Sequence, residues 1–390
     1  MGKRAAKAAS TPVLAAARAS TLFGLPRGMV HADAVLGTGR VRGGRQDLSE
    51  PSREVRPLGV GDPPPPAESV VTTLTMLDGA SGSLTFRNNL VVDEKDRVVF
   101  PRATDEDGRP FTFRDLQVWR VPLDSPRSVR GTVAYLSDTG VHNFGHWFLF
   151  IYPLVRHYRE YLGEDPDFFY IGAPIQEWHY DSLAACGIEP RQLLTEPVAG
   201  DRMLAAIVDR PVPPPRSFLD FSTETLRRPR GSGPGRRVYI SRKRQAIRGL
   251  VNEAACNEVL EQHGFEPYFT EALTLQEETE LFASADAVVA LHGAGLANLL
   301  FCHPSCVAVE LFPHGFTSSW FSDVSAARGL RYACLHGEPT RTMGLPSKSR
   351  DALIDPSKLD AVLTAATEAA VGLRHAAAEA PLESPAVDAP

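Results

Sequence analysis

Ala285-Asp286-Ala287-Val288-Val289-Ala290-Leu291-His292-Gly293-Ala294-Gly295-Leu296-Ala297-Asn298 opens as a short apolar run, stops at His-Gly-Ala-Gly, and continues with helical spacing. Strand, glycine turn and helix in that order leave unpaired backbone N–H groups and a positive helix end at the carboxyl edge of a sheet. An anion such as a diphosphate binds well there, and the glycines let it approach the main chain closely. The stretch reads as part of an α/β protein that handles phosphates or nucleotides.

Around it, strands and helices alternate. Strands are expected at 238–241, 267–269, 287–291, 307–311 and 332–335, and helices at 251–263, 275–284, 296–301 and 318–328. Such alternation implies right-handed crossovers and a parallel sheet covered on both faces. Residues 70–121 carry β-like segments separated by polar turns, and a second alternation begins at 132–136. There a helix from about 146 to 162 ends at Gly163, a strand is expected at 167–171, a helix at 176–186 and a strand at 203–208. The proline run 211–215 and the glycine-rich stretch 231–235 interrupt the chain. The reading divides the chain into a flexible arm (1–66), a first domain with a β-rich start (67–215), a nucleotide-binding domain (236–340), and a helix with a disordered tail (341–390).

With 390 residues, 43% of them hydrophobic, the chain can bury a large core and has room for two domains. A net charge of −6 gives no overall pull toward nucleic acid. Five cysteines without a CxxC pair argue against a zinc site or a disulfide framework, and fit reduced thiols in a cytoplasmic protein. No run reaches the ~20 apolar residues that span a bilayer. Lys3, Arg4, Lys7, Arg18 and Arg27 precede any acidic residue. They read either as a solvated tail or as a weak contact with an anionic membrane surface.

Three further stretches carry chemistry. Arg242 and Lys243 follow an apolar strand, with Arg248 and Asn252 beyond. At the carboxyl end of a parallel strand, Arg242 would face the same crevice as the His292 turn, where guanidinium forks neutralise phosphate oxygens without a metal. Glu310 ends an apolar strand and is read either as the acceptor of two ribose hydroxyls or as the partner of an arginine. His142, Asn143, His146 and Trp147 lie where the first domain passes from strand to helix. An imidazole there could act as general base, and the indole could stack on a sugar. Other motifs fail: the chain has no Gly-x-Ser-x-Gly elbow and no Walker phosphate loop. The acid triplet Asp105-Glu106-Asp107 reads as a polar turn.

Together, Asn143-Phe144-Gly145-His146-Trp147, Tyr239-Ile240-Ser241-Arg242 with Arg248 and Asn252-Glu253, the block from His292 to Phe301, and Glu310-Leu311-Phe312-Pro313 resemble the family 61 glycosyltransferases, in that order. The resemblance covers about 131–335. It implies a GT-B architecture, two Rossmann-like domains facing across a cleft, and inverting transfer from a nucleoside diphosphate-sugar. It also places the chain with bacterial, capsule-type, cytoplasmic members. The expected donor site comprises Arg242, Lys243, Arg248, His292, Gly293, Ala294, Gly295, Asn298 and Glu310. His146 is the expected base, with His142, Asn143 and Trp147 on the acceptor side. No cofactor or metal is expected, and the acceptor is a glycan or lipid-linked glycan. The alternative reading is a non-catalytic nucleotide-sugar or glycan-binding protein of the same fold.

Overall fold

The computed structural model describes residues 28–379 except 37, 67, 71, 88, 101–124, 139, 173, 209–212, 231–234 and 246. The basic segment up to Arg27, the triplet Asp105-Glu106-Asp107 and the tail from residue 380 lie outside the described residues. Two compact units emerge, one of residues 1–51 and 69–225, the other of residues 52–68 and 226–390. Strands number along the chain: β1 Gly28–His31, β2 Val41–Asp47, β3 Arg56–Pro57, β4 Thr73–Ala80, β5 Leu84–Arg87, β6 Leu90–Asp93, β7 Arg97–Phe100 and β8 Arg127–Tyr135. They continue with β9 Phe168–Tyr170, β10 Leu193–Leu194, β11 Val198–Val208, β12 Arg236–Ile240, β13 Glu266–Tyr268, β14 Ala285–Leu291, β15 Val307–Phe312 and β16 Arg331–His336.

The first unit holds one mixed sheet. β11, β8, β9 and β10 lie side by side in parallel, while β4 through β7 join through antiparallel ladders. The β-rich start is thus fused to the α/β part. The reason is visible in β4, which is buried on both faces and pairs with β2 on one edge and β11 on the other. Residues 28–57, read from sequence as part of a flexible arm, supply β1 and β2 to this sheet and β3 to the other. Only Val41 of β2 is buried, so this edge strand contributes main-chain hydrogen bonds without an apolar face, and no periodic signal betrays it.

The second unit is a six-stranded parallel sheet in the order β13-β12-β14-β15-β16-β3. β15 is buried at every position, as a central strand covered on both faces must be. The helix Pro356–Glu379 lays Leu359, Val362, Leu363 and Ala366 into the core of this sheet. Asn252 ties down the segment leading to it, donating to the Ile354 carbonyl at 2.7 Å and accepting from its amide at 3.2 Å. Among the described residues no helix is long and apolar enough to cross a membrane.

Candidate functional site

From β12 the chain turns to β13 on one side, then returns to β14 on the other. Strand order therefore reverses between β12 and β14, and crevices that accept ligands form outside the carboxyl ends of strands at such a point. Arg242 follows β12, and His292-Gly293-Ala294-Gly295 follows β14. A Cβ placed on Gly293 would lie 2.3 Å from Arg242 Nη1, so the guanidinium rests against the bare glycine backbone. The φ of Gly293 is 167°, ordinary extended backbone, and the glycine is needed for this close approach alone. At Gly295 a Cβ would come within 3.3 Å of the Ile240 side chain, so this glycine lets the following helix close on β12.

Arg248 adopts a left-handed φ of 58° and donates from Nη1 to the His292 carbonyl at 2.9 Å. Arg242 donates from Nη2 to the Ile247 carbonyl at 3.3 Å. The Nε atoms of both arginines are buried and have no hydrogen-bond partner among the described residues. Burial lowers both pKa values, and the charge of Arg248 helps push Arg242 down to about 10. Two half-buried cations held by carbonyl oxygens favour an anion between them. Lys243 is exposed beside them.

Behind the turn lies a buried network. Glu310, 1% exposed, accepts from His292 Nδ1 at 2.6 Å and from the Tyr332 hydroxyl at 2.7 Å. The sequence reading offered Glu310 to a ribose; the structure points both carboxylate oxygens at internal partners, and the side chain braces His292. The rings of Phe312, Phe316 and Phe321 surround that imidazole at 5.6, 5.0 and 5.3 Å.

In the first unit, Asn143 caps the helix Phe144–His146, its side chain accepting from the His146 amide at 3.1 Å. A widened helical turn, Trp147–Ile151, follows before the helix Leu154–Leu162, which Gly163 ends with a φ of 74°. Such widened turns recur at functional sites. His146 is half-buried against Gly140, while His142 and Asn143 are exposed. Trp147 differs from its expected role. It is 0% exposed, donates from Nε1 to Ser182 Oγ at 3.0 Å and packs edge-on to His179 at 4.4 Å. It belongs to the core, because its indole fills the space between the widened turn and the helix Glu177–Ala185, leaving no face for a sugar.

Residues 144–309 match the family model described as Glycosyltransferase 61. That match supports a glycosyltransferase 61 domain over those residues. No curated protein matches it. Among solved structures, one similar chain is the metal-soaked Flv1 flavodiiron core from Synechocystis sp. PCC6803, with 10% identity and a TM-score of 0.25. The match covers 78% of this chain and 64% of that one, so this chain spans less than two thirds of its length.

Within the family 61 region, the helix after the glycine turn is a tight 3-10 helix, Ala294–Phe301, rather than a regular α-helix. Asn298, expected at the donor site, is wholly buried; it donates to the Gly295 carbonyl at 3.1 Å and to Glu278 Oε2. It fixes the start of the 3-10 helix from within. Burial pushes the Glu278 carboxyl up to about 8, Glu271 adds to this, and the Asn298 hydrogen bond opposes it. A carboxyl raised in the folded state gives its full stability below the ordinary carboxylate range, and loses it as pH climbs toward the folded value. Urea unfolding should show stability falling between about pH 5 and pH 8, and Glu278→Gln should flatten that slope while gaining about 2 kcal/mol at the upper end. A slope unchanged by the substitution would assign the dependence elsewhere.

Sequence reasoning missed Tyr332, Glu278 and His179. Register could have found the first: Glu310 pairs with Cys334 and Ala308 with Tyr332, and period-two alternation sets Tyr332 on the face of Glu310. His179 accepts from the Gln176 amide at 2.9 Å and lies 2.9 Å from the Val141 carbonyl, and burial lowers it to about 4. It braces the loop that carries His142.

Proposed function

We propose that this protein is an inverting glycosyltransferase that moves a sugar from a nucleoside diphosphate donor to a hydroxyl of a cell-surface glycan, lipid-linked or free. The observation that carries the reading is the arginine pair, lodged against a glycine turn where strand order reverses. Arg242, Arg248 and the amides from Gly293 to Gly295 stabilise the leaving diphosphate as charge develops on it, with Lys243 at the rim. His146, beside His142 and Asn143, takes the proton from the acceptor hydroxyl, whose oxygen attacks the anomeric carbon opposite the leaving group. A GT-B arrangement, with donor and acceptor sites on different domains, completes the reading, in a cytoplasmic enzyme of bacterial polysaccharide synthesis.

Thermal-shift measurements with a panel of nucleoside diphosphates test the donor site, and release of free nucleoside diphosphate from a matching sugar donor tests the chemistry. Stabilisation by at least one nucleotide, with release dependent on His146, is the expected result. Stabilisation without any release or transfer would favour a binding protein, and no stabilisation by any nucleotide would remove the donor site.

A further inference from the structure

The amino ends of the second unit's strands carry a band of arginines that the donor site does not use. Arg56 opens β3 and Arg331 opens β16, and the two are register partners in neighbouring parallel strands. Both are exposed, and like charges set directly opposite one another destabilise a sheet. Strand pairing therefore gives no reason for them. The band continues inward. Arg56 Nη1 donates to the Gly329 carbonyl at 3.5 Å, and a Cβ on Gly329 would lie 4.0 Å from Pro304 Cβ. Beside Pro304, burial lowers the pKa of His303, and the charges of Arg230, Arg227 and Arg328 lower it further. Arg230 in turn donates to Ser305 Oγ and to Asp286, while Arg374 donates to the other Asp286 oxygen at 3.0 Å.

One carboxylate thus serves two guanidiniums, and Arg328 ends its helix, where a cation suits the dipole. Arg56, Arg227 and Arg331 are exposed on the rim, with Glu54 an exposed acid of the same early segment. The band crosses four neighbouring strands, β14, β15, β16 and β3, and at about 4.8 Å per strand it is roughly 14 Å wide. That width exceeds one phosphate and suits a row of them. The net charge of −6 repels a polyanion that would wrap the whole chain, whereas a planar anionic surface meets this edge alone.

We propose that this amino edge docks the protein on an anionic lipid bilayer, with Arg56, Arg227 and Arg331 reaching the headgroup phosphates. The attraction grows with each basic residue near the surface and fades within a Debye length. Arg242, Arg248 and the glycine turn lie at the opposite, carboxyl edge of the same sheet, so docking edge and donor site are separate.

Flotation of the whole chain with vesicles tests this. Phosphatidylcholine vesicles containing phosphatidylglycerol should carry the protein at about 0.1 M salt and release it near about 1 M, where screening reaches only ~3 Å. Pure phosphatidylcholine vesicles should not carry it. Arg56→Gln combined with Arg331→Gln should lower vesicle affinity about tenfold. Chemical denaturation of that variant should show stability unchanged or raised, because a repelling pair has gone. Arg227→Gln should weaken binding less, in the same direction, and serves if the double variant does not fold. Lys3→Gln, Arg4→Gln and Lys7→Gln together should leave most of the affinity in place. Equal binding to neutral vesicles, no binding to anionic ones, or a double variant that binds like wild type would overturn the proposal. So would loss of binding in the Lys3, Arg4 and Lys7 variant alone, which would give the contact to the amino-terminal segment. Tighter, Arg56-dependent binding of a single-stranded oligonucleotide at equal phosphate concentration would assign the edge to nucleic acid instead.

Discussion

Turnover of the Arg242→Ala protein should drop about 10²–10³-fold, the usual cost of removing one aimed donor from a developing oxyanion. The guanidinium lies against the Gly293 backbone. Burial and the neighbouring Arg248 already disfavour its charge, so the site is primed for an anion that relieves both penalties. Nucleoside diphosphate affinity should fall with turnover, and Arg242→Lys should restore little, since an ammonium lacks the planar fork. Steady-state kinetics and equilibrium titration measure both quantities; wild-type values in Arg242→Ala would take this residue out of the site.

The largest effect on stability is expected from Trp147→Ala, about 3–5 kcal/mol, the range for emptying a large aromatic from a core. Its indole touches His179, Tyr152 and Trp178, with ring centroids 4.4, 6.1 and 5.9 Å away, and its removal leaves the buried Ser182 hydroxyl with only its bond to the His179 carbonyl. Chemical denaturation reads the loss directly. A variant that unfolds like wild type yet binds acceptor poorly would restore the indole to the surface role that its neighbours in sequence imply.

These two residues mark what sequence could and could not reveal. Arg242 was legible because a strand that ends in a basic residue has one exit, the carboxyl edge, and the alternation around it required a parallel sheet. Gly163 likewise announced a helix end, and it takes a left-handed φ of 74°. Trp147 was misleading because an aromatic beside polar residues at an element junction reads as a surface platform. The widened turn that buries it has no sequence signature. Glu310 was located on the right strand, yet its partners depend on register with β16, a long-range property that local patterns do not encode. β2 and β3 escaped notice for a simpler reason: edge strands that offer hydrogen bonds and little apolar surface carry almost no periodicity.

The chain passes between its two units at 51/52, 68/69 and 225/226. Severing it at residue 226 would therefore not liberate an intact second unit. β3 would stay behind, and with it Asp62, whose carboxylate binds the His336 amide and ring. A piece cut there would display the naked rim of β16, a template for adhesion between molecules. Whoever wishes to isolate the second unit must carry the short early segment along with it.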